Sequence, residues 1–182
     1  MTPSGHSPMV PGRYARSRSS RAAGETVWRD TLTDAQDHLA DAVVVGFDGS
    51  EAATAAVDWA AAEADRSGDR LELVSAWEYP SSWGNVIPLP SDFDPGNDAQ
   101  AMLDPVVDRL GTEHPGLRVH AHVIEGRPAE VLVEASRHAA LLVVASRGHG
   151  SFSGLLLGSV SQHCVTHAAS PVVVYRVPEP AA

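Results

Sequence analysis

In the stretch "VASRGHGSFSGLLLGS", glycines and a serine are spaced as an anion cradle would need them. Gly148, Gly150, Gly154 and Gly158 punctuate a connection that ends at Ser159, where a helix is expected to begin. Glycine permits positive φ and close backbone approach, and a helix start offers unpaired amides with partial positive charge. Ser159 adds a hydroxyl, and Arg147 or His149 can add positive charge. The competing interpretation is that Ser159 merely caps the helix while the glycines turn the chain. A second candidate is Asp48 in "VVVGFDGS": it either reaches into a ligand crevice or caps the next helix, a part that Ser50 can fill equally.

Other chemistries fit less well. A Walker A loop needs a lysine, and this chain has none. The dinucleotide fingerprint belongs after the first strand, where only "GFDGS" stands. Ser159 is outside any G-x-S-x-G nucleophile elbow. Asp48 can activate water or help hold Mg2+, and phosphoryl transfer depends mostly on positioning and charge, so slow ATP turnover is an option. The paired acid and base of a fast enzyme are missing. His163 and His167 have the four-residue spacing that can chelate a metal on one helix face, beside Cys164, but no third ligand is placed; solvated or packed side chains are expected. His120 and His122 share one face of a strand and are expected to be half-exposed.

These residues need elements to position them. "AVVVGFDGS" is a β-branched run ending in turn and cap residues, the pattern of a buried strand feeding a helix. The helix is expected over 51–66, with Ala52, Ala56, Trp59, Ala60 and Ala64 facing inward and Ser67-Gly68 stopping it. "LELVSAW" is a second strand. A Pro, Ser and Asp-rich connection over 78–97 carries Tyr79, Trp83 and Phe93; loops this long are usually functional or mobile, and it is the expected cover of the site. A helix should begin near Asp98 and be kinked or restarted at Pro105, with Asp104 as a cap. "RVHAHVI", a helix from Pro128 to near residue 138, "ALLVVAS", the helix "SVSQHCVTHA" and the strand "PVVVYRV" complete the order. Alternating helices and continuous apolar strands mean a parallel sheet covered on both faces. In such a sheet, ligands sit beyond the strands' C-terminal ends where strand order reverses, which selects "FDGS", "AWEY" and "ASRGHG".

At 182 residues the chain suits one domain plus a tail. Residues 1–39 are rich in Ser, Arg, Pro and Gly with few large apolar groups, so disorder is expected there and in the short tail 179–182, leaving a folded domain over 40–178. The first 40 residues carry five Arg against four acids, and the remainder eight Arg against nineteen. A domain so acidic repels a nucleic-acid backbone. One cysteine cannot form an internal disulfide, and no apolar run approaches a membrane span or a signal core, so a cytoplasmic protein is expected.

The loop and its flanks, "SRGHGSFSGLLLGSVSQHCVTHAASPVVVY", resemble the universal stress protein family, whose ATP-binding members carry G-x2-G-x9-G-[ST] at this place. Gly148, nine intervening residues, Gly158 and Ser159 match, and the likeness extends over 42–177, including "VVVGFDGSEAATAAVDWA" and "EGRPAEVLVEAS". The resemblance implies a three-layer α/β/α, five-stranded, mostly parallel sheet of order 3-2-1-4-5, like that of adenine nucleotide α-hydrolases. It implies that Gly46, Phe47 and Asp48 face adenine and ribose and that Ala76 lines the adenine pocket. Val144, Ala145, Arg147 and Gly148 would border ribose and phosphates, and Gly158, Ser159, Val160 and Ser161 would contact phosphate. It further implies ATP and a homodimer through Val172, Val173, Val174 and Tyr175, which hides an apolar edge; Mg2+ near Asp48 is the option that the carboxylate itself offers beside bound ATP.

The departure is Ala145, where the motif has its first glycine. If that position needs φ > 0, alanine costs on the order of 1 to 2 kcal/mol; if it is extended, the methyl group need only find room. The expected function is a nucleotide-dependent stress-response switch read by a protein partner. The alternatives are a slow ATPase using Asp48 and Mg2+, and a dimeric scaffold that has lost nucleotide through Ala145.

Overall fold

The computed structural model describes residues 42–78, 94–148 and 157–177. Its five strands are β1 (Ala42–Gly46), β2 (Arg70–Trp77), β3 (Val119–Glu125), β4 (Leu141–Ala145) and β5 (Val172–Tyr175). They pair in parallel in the order β3-β2-β1-β4-β5. Between them lie α1 (Glu51–Ser67), α2 (Pro95–Glu113), α3 (Pro128–Ser136) and α4 (Ser159–His167). The chain steps outward from β1 to β3, then returns to the other side of β1 for β4 and β5. Strand order therefore reverses between β1 and β4, and their C-terminal ends diverge into a crevice.

Neighbouring residues of each strand point to opposite faces, which divides the core in two. Val43, Val45, Leu71, Leu73 and Val143 pack with Ala53, Ala56, Val57 and Ala60 of α1 and Leu103, Val107 and Leu110 of α2. On the other face Val44, Val74, Leu142 and Val144 pack with Val131 and Leu132 of α3 and Cys164 of α4. The result is the expected three-layer arrangement, here with every strand parallel.

Helix details depart from the sequence expectations. On α1 the buried face includes Ala53, Val57 and Ala61, while Ala52 and Trp59 are only half-buried. Ala56, Ala60 and Ala64 are buried as expected, but α1 is so rich in alanine that apolar spacing fits more than one face, and the buried one is turned toward Ala53, Val57 and Ala61. α2 starts at Pro95, capped by the Asp94 side chain on Asn97 N–H, and runs unbroken through Pro105. Leu103, Val107 and Leu110 are buried along its length, so packing holds the helix across the missing Pro105 donor. Asp104 does not cap; it accepts a hydrogen bond from the Gln100 side chain at 2.7 Å. α3 ends at Ser136, two residues earlier than expected, in a turn where Arg137 and His138 N–H donate to Glu134 and Ala135 carbonyls. The expected tails, the aromatic loop residues Tyr79, Trp83 and Phe93, and the central part of the glycine loop, His149, Gly150 and Gly154 among them, lie outside the described residues.

One polar cluster interrupts the second core face. Glu72 of β2 is buried and accepts from Arg70 Nε at 2.5 Å, His122 Nε2 at 2.6 Å and His120 Nδ1 at 3.1 Å. His122 is therefore buried rather than half-exposed, and only the His120 side chain keeps 34% of its surface. Burial pushes the Glu72 carboxyl upward, but the hydrogen bonds and charges of His120 and His122 outweigh it and hold it well below the usual carboxylate range.

Candidate functional site

The C-terminal ends of β1, β2 and β4 and the start of α4 enclose a cavity of about 720 Å³. At the end of β1, Phe47 N–H continues the ladder to the Val74 carbonyl at 2.8 Å, and Phe47 joins the core beneath α1. Gly46 is a position of close approach: a Cβ there would stand 2.8 Å from Leu132 Cδ1, so the absence of a side chain lets α3 pack down onto the strand end. Ser50 caps α1 by accepting from Ala53 N–H at 3.1 Å. That leaves Asp48 in front of the helix, accepting from Ser50 N–H at 3.0 Å. Of the two candidates for the cap, Ser50 fills it, and Asp48 lines the cavity.

The β4 side is built around one carbonyl. Ser146 N–H donates to Tyr175 O at 2.7 Å, continuing the sheet, while Ser146 O accepts from Gly158 N–H at 2.7 Å and from Ser161 Oγ at 3.1 Å. These bonds bring the far end of the glycine loop back beside its start. The side chain of Asp48 occupies the place where a Cβ on Gly148 would go, so the turns after β1 and β4 touch across the crevice.

α4 is capped by Gly158, which has no side chain to offer, and the first intrahelical bond runs from Gln162 N–H to Gly158 O at 2.9 Å. The amides of Ser159, Val160 and Ser161 therefore precede the helical ladder, at its electropositive end. Ser159 is the first helical residue and exposed, not the cap. Ser161 is buried, with its hydroxyl shared between the Ser146 and Gly158 carbonyls, which ties the loop to the helix.

All twelve residues singled out from the sequence line this one cavity: Gly46, Phe47, Asp48, Ala76, Val144, Ala145, Arg147, Gly148, Gly158, Ser159, Val160 and Ser161. Ala145 is the last residue of β4 and pairs with Tyr175, so it has the extended backbone of a strand and its methyl group carries no left-handed strain. The lining also includes Val74, Leu132, Pro128, Ala53, Leu157 and Gln162. Leu132 and Pro128 come from the helix that crosses from β3 to β4; Pro128 marks the start of α3 in the sequence, but only the crossing path brings it over β1.

The cavity is thus an apolar slot with a polar rim. Val74, Ala76, Leu132 and Val144 suit a flat ring, Asp48 accepts hydrogen bonds, and Ser159, the leading amides of α4 and Arg147 can meet an anion. A single carboxylate at such a rim also fits a Mg2+ ion carried on a phosphate, which commonly takes one or two carboxylates and keeps its other ligands from phosphate and water.

The other candidates do not assemble. No group of three or more His, Cys, Asp or Glu side chains among the described residues could hold a metal. His163 and His167 stack with ring centroids 4.2 Å apart, and His167 Nδ1 donates to the His163 carbonyl at 3.0 Å. Cys164 is buried between them in sequence, and burial pushes its thiol up to about 11 against a smaller opposing backbone hydrogen bond, which disfavours the thiolate that binds metals. No helix among the described residues is long and apolar enough to cross a membrane.

A model of the universal stress protein family matches residues 40–176. A universal stress protein of Mycolicibacterium smegmatis is 35% identical over 135 residues, covering 74% of this chain and 45% of that protein. Universal stress protein Rv2005c of Mycobacterium tuberculosis is 40% identical over 137 residues, with 74% and 45% covered. The chain spans about half the length of these curated relatives. Among solved structures, a universal stress protein in complex with cAMP is 28% identical with a TM-score of 0.56, covering 74% of this chain and 95% of that one. UspA from Lactobacillus plantarum shares the fold at 20% identity and a TM-score of 0.58, with 74% and 97% covered.

Proposed function

The chain belongs to the universal stress protein family, and from that premise we propose that it binds an adenine nucleotide, with ATP and its Mg2+ as a principal ligand, and acts as a nucleotide-dependent switch. The observation that carries this reading is the start of α4, which no side chain caps, opening into the same cavity as Asp48 and the apolar slot. The base enters between Val74, Ala76, Leu132 and Val144; ribose hydroxyls donate to Asp48; phosphate oxygens accept from Ser159, the leading α4 amides and Arg147. The neighbour that was solved with cAMP supports an adenine-bearing ligand.

Switching requires that nucleotide bind two conformations unequally. The contact between Asp48 and Gly148 is where occupancy would act, since a ligand entering there must part or brace the two turns. A second copy of the chain docks through β5, pairing the apolar end of the sheet, and a protein partner reads the occupied state. A reducing, cytoplasmic setting suits the lone buried thiol of Cys164.

The test is to denature freshly purified protein and identify the released small molecules, alongside calorimetry with Mg2+ and ATP for wild type and Ser159→Ala. Co-purifying adenine nucleotide, or binding weakened about tenfold by the substitution, supports the reading. Because Gly158 is the cap, Ser159→Ala leaves the helix start intact. Two folded proteins that bind nothing would remove the nucleotide and leave the dimeric scaffold.

A further inference from the structure

The two faces of the sheet are covered unequally. On one, α2 packs on β2 and β3 and α1 on β1, β2, β4 and β5. On the other, which carries Glu72, α3 packs on β1, β2 and β4 and α4 on β5. There Ile124, near the end of β3, joins the core beneath α3, but among the described residues no helix packs along β3 on that side. The side chains of Arg70, Glu72 and His122 nonetheless keep only 6%, 5% and 6% of their surface. Their bonds to one another run along the sheet, and such bonds do not close it from above. His120, one residue pair nearer the start of β3, keeps 34% and marks the margin of a cover. Charged groups this deeply buried need water kept from them over the whole cluster.

The chain itself holds a segment suited to that place. Outside the described residues lie 1–41, 79–93, 149–156 and 178–182. The last three follow the C-terminal ends of β2, β4 and β5, whereas Arg70 opens β2 and His120 and His122 stand in the first half of β3. The first enters β1 at Ala42, which is in register with Arg70, about 4.8 Å from β2 and twice that from β3. Composition over the whole of 1–39 predicts disorder, but it is not uniform. Residues 1–24 hold four Arg, three Pro and no acid; residues 25–41 contain neither Pro nor Gly. In that second part Trp28, Leu32, Ala35 and Leu39 recur at spacings of four, three and four, and Asp30, Asp34, Asp37 and Asp41 repeat the pattern two residues on. On a helix the first set shares one face and the acids take the opposite one. A helix over 28–39 would be about 18 Å long, against about 23 Å for the seven residues of β3. Ala40 and Asp41 remain for the turn into β1, within the usual length of about two to six residues. We propose that residues 25–41 dock as an amphipathic helix on the β2–β3 face of their own chain, where Trp28, Leu32 and Leu39 close Arg70, Glu72 and His122 from water. Trp28 suits this site doubly, since a guanidinium is attracted to an indole face. The docking is independent of the nucleotide, and it anchors the basic stretch 1–24 at the end of the sheet remote from the cavity.

The experiment is limited trypsin digestion of the full chain, which has no lysine and is cut only at Arg. The bond after Arg29 lies inside the docked segment and the bond after Arg21 outside it. Cleavage of a native chain follows the population of its open form, so the Arg29 bond should be cut at least about tenfold more slowly than the same bond in a synthetic peptide of residues 22–41, while the Arg21 bond is cut readily. In the full chain with Leu32→Asp and Leu39→Asp together, the Arg29 bond should approach the peptide rate, and modification of His122 by diethyl pyrocarbonate should rise by about tenfold with that of exposed His167 unchanged. A wild-type Arg29 bond cut as fast as in the peptide overturns the proposal, and that comparison needs no variant to fold. Protection at Arg29 with no change at His122 in the folded variant places the segment on another surface and also overturns it. Protection that is lost on dilution, in step with dissociation of a dimer, assigns the cover to a second copy and overturns docking within one chain.

Discussion

The carboxylate of Asp48 occupies the place that a methyl group on Gly148 would need. The two residues leave different strands, and the same carboxylate is anchored by Ser50 N–H at 3.0 Å. Gly148→Ala must therefore drive the Asp48 side chain off its anchor or push the β4 turn outward. Both residues are exposed, so thermal unfolding should move by less than about 2 °C. Adenine nucleotide affinity, read by calorimetry, should fall about tenfold or more, because the group displaced is the hydrogen-bond acceptor at the rim. Unchanged affinity would show that Asp48 does not touch the ligand.

Ala145→Gly tests the departure from the family motif. Ala145 ends β4 in register with Tyr175, and an extended strand residue gains nothing from glycine's freedom at positive φ. Nucleotide affinity should change by less than about threefold, while stability drops by about 0.5 to 1 kcal/mol through the added freedom of the unfolded chain. A large rise in affinity on making the glycine would mean that the methyl group obstructs the bound nucleotide.

The strands were legible because parallel strands covered on both faces must be continuous apolar runs, as "AVVVG" and "LLVVA" are. The twelve lining residues were legible because a parallel sheet puts its crevice at fixed strand ends and because the glycine spacing matched a family pattern. The start of α2 was not legible although Asp94-Pro95 is a cap followed by a first-turn proline, because within a stretch rich in Pro, Ser and Asp that pair also suits a connection. Leu132 was missed because its position over Gly46 depends on the crossing of α3, a long-range contact that local pattern cannot show. The bonds from His120 and His122 to Glu72 were missed for a similar reason: strand alternation gives the face, but the partner across the sheet needs the register of β2 against β3, His120 opposite Glu72.

Glu72 sets an acid limit on stability. Its folded pKa lies below the ordinary carboxylate value, so its contribution is fully present above the unfolded pKa, about 4.3, and is lost as pH falls below that toward the folded value. Unfolding free energy measured by denaturant titration should therefore decline as pH drops below about 4.5. Glu72→Gln should flatten that decline and destabilise the protein by about 3 to 5 kcal/mol at neutral pH, since Arg70 would keep its buried charge without the carboxylate beside it. An unaltered slope would assign the acid response to other carboxylates.

The proposed dimer can be tested on the backbone of β5 itself. Leu142 N–H donates to Pro171 O at 3.0 Å and Ser146 N–H to Tyr175 O at 2.7 Å, so residues 171 and 175 turn their polar groups toward β4. In a strand this alternates every second residue, which turns Val173 toward β4 and the N–H groups of Val172 and Val174 outward, at the end of the sheet. Val174→Pro removes an outward donor, and a proline is tolerated in an edge strand when its missing N–H faces away from the ladder. Sedimentation should then show a monomer where wild type is a dimer, with the far-ultraviolet circular dichroism retained. A variant that stays dimeric would place the contact between copies on another surface. A variant that loses the fold is separated from both by its spectrum, and Val174→Arg, which keeps the backbone donor but adds charge to the same edge, then supplies the answer.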